Sequence, residues 1–492
     1  MEIFPYVLLG FYCLTLIYIT VYCLLQIHLL VFYRRFHKHE QEEITDMPLD
    51  QELPLVTIQL PIFNEQYVVQ RLIDNITKLD YPKDRMEIQV LDDSTDDTLE
   101  ISRQKVEEYQ AKGFDIQLLH RTDRTGYKAG ALKSAMKSAK GEFIAIFDAD
   151  FLPRQDFLRK CLPFFQNKEV GVVQARWEHI NQNYSLLTRL QAMQLDVHFR
   201  VEQKGRYAGN CLLQFNGTAG IWRRATIDDA GGWEADTLTE DLDLSYRAQL
   251  KGWRIEYLEN LTAPAELPAE MNGLKSQQFR WTKGGAETAK KMLPTIWKAN
   301  IPLRQKIHGT VHLMGSSIFV SVLLTAILSV PLLMVIDKID INLNYALVFY
   351  SGMIAVISVY YVANVEMKDG KFVRNFLKFL FLFPMFISLS MGLSLHNTIA
   401  VLQGYLGRKS AFVRTPKFNI QGLSDTFKKN SYLNTKISWV TIFEGIFALV
   451  FAWAVYYGIF HAANQGFVIF HVMLAFGFGS IFYFSVSHLR YK

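Results

Sequence analysis

The sequence predicts a doubly wound α/β domain joined to a helical transmembrane region. Between residues 50 and 300 short apolar strands alternate with charged segments of helical period, the pattern of a sheet wrapped by helices. Long apolar runs flank this stretch, at 4–33 and again beyond 308. Acidic pairs, Asp92 with Asp93 and Asp148 with Asp150, stand where strands end, and open α/β sheets bind ligands at that edge.

The elements follow in order. Residues 4–33 are almost unbroken in their apolar character and run into Arg34, Arg35, His37 and Lys38. The run is too long for a signal-peptide core and lacks a basic region before it or a small-residue cleavage site after it. It predicts a transmembrane helix over 1–35 with its C-terminal end in the cytoplasm. Residues 55–61 (LVTIQLP) form a β-branched run closed by a breaker, a buried strand. Residues 65–78 have helical period. Residues 87–91 are the next strand, ending at Asp92. A helix at 96–112 has an acidic first turn, which suits its dipole, with Ser94 or Thr95 as cap. A third strand lies at 116–119. Residues 128–140 (KAGALKSAMKSAK) are helix formers, and 142–147 (EFIAIF) is a fourth strand ending at Asp148. The cytoplasmic domain is assigned to 50–300.

Apolar runs then resume at 308–336, 344–365, 376–402, 437–460 and 467–488. The first two predict a transmembrane hairpin over 305–366 and the last two another over 437–490. Between them 407–436 carries Arg408, Lys409, Arg414, Lys417, Lys428, Lys429 and Lys436, and basic loops stay in the cytoplasm. A full span at 376–402 would put that loop on the opposite face. This run contains Pro384, Ser388, Ser390, Ser394, His396 and Asn397. It is therefore assigned as an interfacial or re-entrant segment over 374–406. That makes five spans, with six as the alternative. Glu444 falls inside a predicted span, where a carboxylate faces either an aqueous path or a polar partner on a neighbouring helix.

The composition narrows the function. A chain of 492 residues with 50% hydrophobic and 20% charged residues is neither disordered nor a disulfide scaffold. The net charge of +5 is mild, and no basic stripe interleaved with aromatics points to nucleic acid. Cys13, Cys23, Cys161 and Cys211 are too sparse for a disulfide framework and have no metal-ligand spacing. No GxGxxG follows the first strand and no GxxxxGK[ST] occurs, which argues against a dinucleotide oxidoreductase and a P-loop NTPase.

Four motifs carry chemistry. In FDAD (147–150) two carboxylates one residue apart can converge on one hard cation, Mg²⁺ or Mn²⁺, which can bridge a pyrophosphate. A helix cap or turn is the structural alternative. In DDSTDDT (92–98) a capped helix start explains Asp96 and Asp97 but not Asp92 and Asp93, where a carboxylate could accept hydrogen bonds from a base or ribose. TED (239–241) precedes a helical pattern; Thr239 suits an N-cap, and Asp241 suits a general base if it faces a cleft. In QQFRW (277–281) Gln277, Arg280 and Trp281 share one helix face. They suit either a membrane-surface helix or a sugar site, with the indole stacking on a pyranose. Trp177 and Trp222 are further candidates for that site.

Together these residues resemble the family-2 glycosyltransferases, and most closely membrane-embedded polysaccharide synthases of the cellulose, glucomannan and xyloglucan-backbone type. The motifs occur in order from PIFNE (61–65), LDDSTDDT, GYKAGAL (126–132) and FDADF through FNGTAGIWRR (215–224), TEDLDLSYR, QQFRW and FVRTPK (412–417). The resemblance implies a GT-A-type fold with a doubly wound mixed sheet. It implies that Pro61, Phe63, Glu65, Asp92, Asp93, Lys128, Asp148 and Asp150 bind the nucleotide sugar, Asp148 and Asp150 also holding the metal. Asn216, Gly217, Thr218, Glu240, Gln277, Arg280 and Trp281 would border the acceptor, and Asp241 would be the base. Phe412, Thr415 and Lys417 match a gating loop, with Arg414 standing where cellulose synthases have valine.

The expected function is inverting transfer of a hexose from UDP-glucose or GDP-mannose to the end of a growing β-linked polysaccharide, with translocation of the product. Addition of one sugar to a membrane lipid is the alternative, and a transporter with a nucleotide-sensing domain the remote one. The partners implied are a UDP- or GDP-linked donor, a glycan or lipid acceptor, membrane lipids, and export or accessory subunits. The setting is a bacterial inner membrane or a Golgi membrane.

Overall fold

The computed structural model describes residues 3–36, 53–339, 348–368, 370–410, 413–422, 424–427, 432–433, 437–462 and 465–489. Phe412 and the basic residues His37, Lys38, Lys428, Lys429 and Lys436 lie outside the described residues.

An apolar helix of 33 residues, α1 (Phe4–Phe36), ends at Arg34 and Arg35 as the charge pattern predicts. The domain follows as β1 (Val56–Ile62), α2 (Val69–Ile76), β2 (Met86–Asp92), α3 (Thr98–Ala111), β3 (Asp115–His120), α4 (Tyr127–Ala135) and β4 (Phe143–Ile146). These are the four strands and three helices expected. Two helices start later than predicted, and the cause is local. Asn64 takes a left-handed φ of 54°. Its N–H donates to Ser94 Oγ at 2.8 Å, and its Oδ1 accepts from the Thr95 N–H at 2.8 Å. The loops after β1 and β2 therefore bond each other, and Ser94 and Thr95 do not cap α3. Asp96 Oδ1 accepts the Thr98 N–H instead.

The chain continues through α5 (Phe157–Cys161), β5 (Val170–His179), α6 (Leu186–Asp196), a wide helical turn at Val197–Gln203, and α7 (Lys204–Ala208). Then come β6 (Gly220–Arg223), α8 (Arg224–Asp229), α9 (Glu240–Leu250) and β7 (Arg254–Ala265). The seven-stranded sheet has the order β3-β2-β1-β4-β6-β5-β7. Only β6 runs antiparallel to its neighbours β4 and β5, so the sheet is mixed. The carboxyl ends of β1, β2, β4 and β7 thus lie along one edge.

Apolar cores cover both faces. Ile58 and Leu60 of β1 pack with Leu72 and Ile73 of α2, while Ile144 and Ile146 of β4 pack with Leu132 of α4 and Leu244 of α9. The polar positions of LVTIQLP pair in register with those of β2. Thr57 donates to Glu87 at 2.6 Å and Gln59 Nε2 to Gln89 at 3.0 Å, so these buried donors find partners within the sheet.

A 28-residue helix, α10 (Met271–Lys298), leaves the domain. It is followed by α11 (Leu303–Leu313), α12 (Ile318–Val335), α13 (Tyr350–Tyr361), α14 (Phe372–Gly392), α15 (Ser394–Tyr405), α16 (Trp439–Phe460) and α17 (Val468–His488). Among the described residues five helices are long and apolar enough to cross a membrane: Phe4–Arg35, Gly315–Lys338, Phe372–Gly392, Trp439–Phe460 and Val468–His488. At Gly392 a Cβ would lie 2.5 Å from the Gly477 backbone, so the two glycines let α14 and α17 touch. The chain entering α14 is held by Lys368 on Asp196 at 2.9 Å, and the end of α15 by Lys290 on the Tyr405 carbonyl at 3.0 Å. Glu444 of α16 has a polar partner on another helix. It is fully buried and pairs with Lys275 of α10 at 2.6 Å.

Candidate active site

A cavity of about 1140 Å³ opens at the carboxyl edge of the sheet and continues between α1, α12, α13 and α14. Pro61, Phe63, Glu65, Asp93, Lys128, Asp148, Asp150, Asn216, Gly217, Glu240, Asp241, Gln277, Arg280, Trp281, Thr415 and Lys417 all line it. Residues up to 356 positions apart in sequence thus meet in one space, the distance from Pro61 to Lys417.

The carboxylate pair after β4 is held by lysines. Lys128, in the first turn of α4, donates to Asp148 at 2.5 Å and to the Gly217 carbonyl at 3.0 Å. Burial works to lower Lys128, but Asp148, Glu240 and Asp241 hold it above the usual lysine range. Lys417 donates to Asp150 at 2.7 Å and to the Glu266 carbonyl at 2.9 Å. One ammonium thus pairs with the half-buried Asp148 and the other with the buried Asp150. The Asp148 side chain keeps 35% of its surface exposed to the cavity, so this pair can also offer hard oxygen ligands to a divalent cation.

Asp241 sits in the first turn of α9, beside Glu240. Gly217 faces it with φ of 78°, and a Cβ there would come within 3.0 Å of Asp241 Oδ2 and 3.5 Å of Lys128 Nζ. Only glycine leaves that gap. Burial first, and then the Glu240 carboxylate, push Asp241 up to about 7. Ser245 locks the loop to the helix, donating to the Asp241 carbonyl at 2.6 Å and accepting the Phe215 N–H at 2.9 Å. Thr239 occupies the N-cap position without a side-chain cap bond. Its hydroxyl meets Thr288 of α10 at 3.1 Å, against Gly284, where a Cβ would strike Thr239 at 2.5 Å. The TED loop is therefore docked on α10 rather than self-capped.

The remaining predicted residues divide. Asp93 lines the cavity and pairs with Arg121. Asp92 turns inward, fully buried, accepting from the Ser94 N–H at 2.8 Å and the Ser102 hydroxyl at 2.6 Å. Thr218 is buried behind the rim, where its hydroxyl accepts the Asp148 N–H at 2.9 Å. Trp177 lines the cavity. Trp222 does not belong with it. It is buried in the core against Phe215 and Trp233, because the β6 pleat turns it into the sheet face. Arg280 reaches across to the 413–417 loop, donating to the Val413 carbonyl and to Thr415 Oγ1, each at 3.0 Å. Arg414 lies 3.2 Å from Glu65 and 3.7 Å above the Tyr432 ring.

Residues 54–284 match the family model described as glycosyltransferase like family 2. This region is a family-2 glycosyltransferase domain. The chain is 44% identical over 261 residues to glucomannan 4-beta-mannosyltransferase 1 of Oryza sativa subsp. japonica, covering 52% of this chain and 50% of that protein. It is 36% identical over 359 residues to probable glucomannan 4-beta-mannosyltransferase 4 of the same plant, covering 72% of this chain and 63% of that protein. The chain thus spans half to under two thirds of the length of these relatives. In structure it is similar to the mannosyltransferase PcManGT of Pyrobaculum calidifontis, solved with GDP-Man and Mn²⁺. The TM-score is 0.51 at 18% identity over 80% of this chain and 100% of that one, which shows a shared GT-A-type fold.

Three residues not singled out in the sequence also lie at or beside the cavity and the 413–419 segment. Glu266, just past β7, accepts the Phe418 N–H at 2.9 Å, while its own N–H donates to Asp150 at 3.0 Å. Arg71 of α2 donates to Asn419 at 2.6 Å. Arg124 stacks its guanidinium 3.2 Å over Phe63 at the cavity wall. Strand-end position was the signal for Glu266. A separate acidic group, Glu234, Asp236 and Asp243, is filled by the Lys291 ammonium at 2.6, 2.9 and 3.0 Å, so it is an ion-pair cluster.

Proposed function

We propose that the protein transfers a mannosyl residue from GDP-mannose to the end of a growing β-linked polysaccharide, with inversion at the anomeric carbon. The carrying observation is the placement of Asp241, a carboxylate raised to about 7, in the same cavity as Lys128 and the Asp148–Asp150 pair. Asp241 takes the proton of the acceptor hydroxyl as that oxygen bonds to the anomeric carbon, and the bond to the diphosphate breaks on the opposite face. Lys128 stands beside Asp148 to balance charge on the leaving diphosphate. One displacement turns an α-linked donor into a β-linkage. Asp148 and Asp150 would hold Mg²⁺ or Mn²⁺, which when bound supplies positive charge to the diphosphate. Mannose is chosen over glucose on the 44% identity to glucomannan mannosyltransferases; UDP-glucose is the competing donor.

Purified full-length protein given labelled GDP-mannose or UDP-glucose tests this reading. The expected product is a β-linked mannan ladder or high polymer. EDTA is expected to abolish product formation, and Mn²⁺ or Mg²⁺ to restore it. A single lipid-linked sugar would replace this reading with the second one, transfer to a membrane lipid. One observation favours that second reading. The inner part of the cavity is walled by apolar side chains, among them Leu16, Ile19, Val322, Val356 and Ile387. Nucleotide binding without transfer would leave the transporter reading.

Closure of the 413–419 segment over the donor is part of the proposal. It is supported by the contacts of Lys417 with Asp150 and of Arg280 with Thr415. Lys417→Ala is expected to raise the KM for GDP-mannose about tenfold to a hundredfold, the worth of a charge-assisted hydrogen bond, in donor saturation kinetics. We read the chain as a multi-pass membrane protein with its catalytic domain in the cytoplasm. The ties at both ends of the α14–α15 segment, to Asp196 and to Lys290, support a segment that enters and returns on the domain side.

A further inference from the structure

The lysines and arginines that line the cavity are, with one exception, already engaged. Lys128 pairs with Asp148, Arg206 with Glu202, Arg414 with Glu65 and Lys417 with Asp150, while Arg280 donates to Thr415. Arg124 is the exception. Its guanidinium lies 3.2 Å over the Phe63 ring, and among the described residues no carboxylate or carbonyl oxygen accepts from it. Its Nε is enclosed, but Nη1 and Nη2 keep open surface at the cavity wall. The carboxylate that bears on it, Asp93, is taken by Arg121, through Nε at 2.9 Å and Nη2 at 2.5 Å.

The loop that carries Arg124 is braced from within. Asp123 Oδ1 accepts from the Thr125 N–H at 2.9 Å and from its hydroxyl at 2.5 Å. The Tyr127 N–H donates to the Arg124 carbonyl at 2.8 Å, and Arg121 donates to the Tyr127 carbonyl at 3.0 Å. Phe63 fixes the guanidinium plane from one side. A charged planar fork with open donors on a rigid loop suits a ligand with two acceptors side by side. Its place in the fold says which part of a nucleotide that is. On the mannosyl-transfer reading the diphosphate lies at Asp148, Asp150 and Lys128, beyond β4. Arg124 follows β3, at the outer end of the row β3-β2-β1-β4. A nucleotide with its diphosphate at the first place extends its base along the strand ends, past Asp93 and Phe63, to the second. Guanine carries N7 and O6 as adjacent acceptors on one edge, which a guanidinium meets with two parallel N–H bonds. Uracil carries the single oxygen O4 on its corresponding edge.

We propose that Arg124 selects the base of the sugar donor, donating from Nη1 and Nη2 to N7 and O6 of guanine. This rests on the GDP-mannose reading and deepens it, since it names the group that favours a guanine nucleotide over a uracil one. It is distinct from the diphosphate contacts at Lys128, Asp148 and Asp150.

The test measures binding of GDP, UDP and 7-deaza-GDP to the full-length protein by calorimetry with Mn²⁺ present. In 7-deaza-GDP a C–H replaces N7, so one acceptor is lost and the diphosphate is untouched. The wild type is expected to bind it about tenfold more weakly than GDP, the loss of one charge-assisted hydrogen bond. Arg124→Met keeps an apolar stem on Phe63 and removes every donor. It is expected to weaken GDP about tenfold to a hundredfold, to change UDP by less than about twofold, and to bind GDP and 7-deaza-GDP alike, because the partner of N7 is gone. Arg124→Lys keeps the charge but not the fork, and is expected to lose most of the preference for GDP as well. GDP and UDP weakened equally would make Arg124 a phosphate contact and overturn the inference. So would a wild type indifferent to N7, or an N7 penalty that persists in Arg124→Met. If Arg124→Met does not fold, the N7 penalty in the wild type and its size in Arg124→Lys decide. A wild type that binds UDP more tightly than GDP overturns the GDP-mannose reading itself; a GDP preference that survives both substitutions overturns this inference only.

Discussion

Asp241→Asn is expected to lower kcat about 10²–10⁴-fold, the usual worth of a positioned general base, while GDP-mannose binding measured by calorimetry stays intact. The substitution keeps the volume of the side chain. It removes one buried negative charge, and Glu240 and Asp148 remain to balance Lys128, which is why donor binding should survive. The pH profile gives a second readout. Burial and Glu240 raise Asp241 from the ordinary carboxylate range to about 7, so below that pH the carboxyl is protonated and cannot take the acceptor proton. In the wild type kcat/KM should climb about tenfold per pH unit below about 7 and level off above it. In Asp241→Asn the climb should vanish along with the rate. Full turnover in the variant, or an unchanged acid limb, removes Asp241 from the role of base.

The sequence made half of this site legible. Strand periodicity placed β1 to β4, and the acidic residues at their ends marked the binding edge. What it could not show was which way each carboxylate points. Asp92 and Asp93 are adjacent, and the pleat sends one inward to Ser102 and the other to the cavity. Trp222 was misread for the same reason, since burial on the core face of β6 depends on pairing with β4 and β5. Glu266 escaped because β7 pairs with β5 through a register shift between Ala175 and Arg176, which blurs the alternation that would have ended the strand clearly. Arg71 meets Asn419 across 348 residues, a contact that no local pattern encodes. The span assignment turned on parity and Pro384. Among the described residues length and composition mark Phe372–Gly392 as a candidate span and not the predicted span at 344–365, which holds the 12-residue α13, while the return of α15 to Lys290 is a tertiary fact.

Lys275→Met is expected to destabilise the protein by about 3–5 kcal/mol, read as a lowered unfolding temperature in detergent, and to reduce transfer in parallel. Lys275 Nζ meets Glu444 Oε2 at 2.6 Å and Ser485 Oγ at 2.8 Å, so one ammonium joins α10 to α16 and α17. Both partners of the ion pair are buried, and Glu444 Oε1 has no hydrogen-bond partner among the described residues. Removing the lysine strands a buried carboxylate among apolar helices, with no other cation within ion-pair distance among the described residues. The cost is the desolvation of the surviving charge rather than the net worth of the pair. It follows that Lys275→Met combined with Glu444→Leu should recover most of the loss, since replacing both charges leaves nothing unpaired. The functional consequence comes through α10. Gln277, Arg280 and Trp281 stand on that helix within two turns of Lys275, so a loosened anchor shifts the wall of the cavity that we propose holds the acceptor, and with it the Arg280 contacts with Val413 and Thr415. A double variant as unstable as Lys275→Met would show that the site holds water or needs the charge itself, and the packing role assigned to Glu444 would fall.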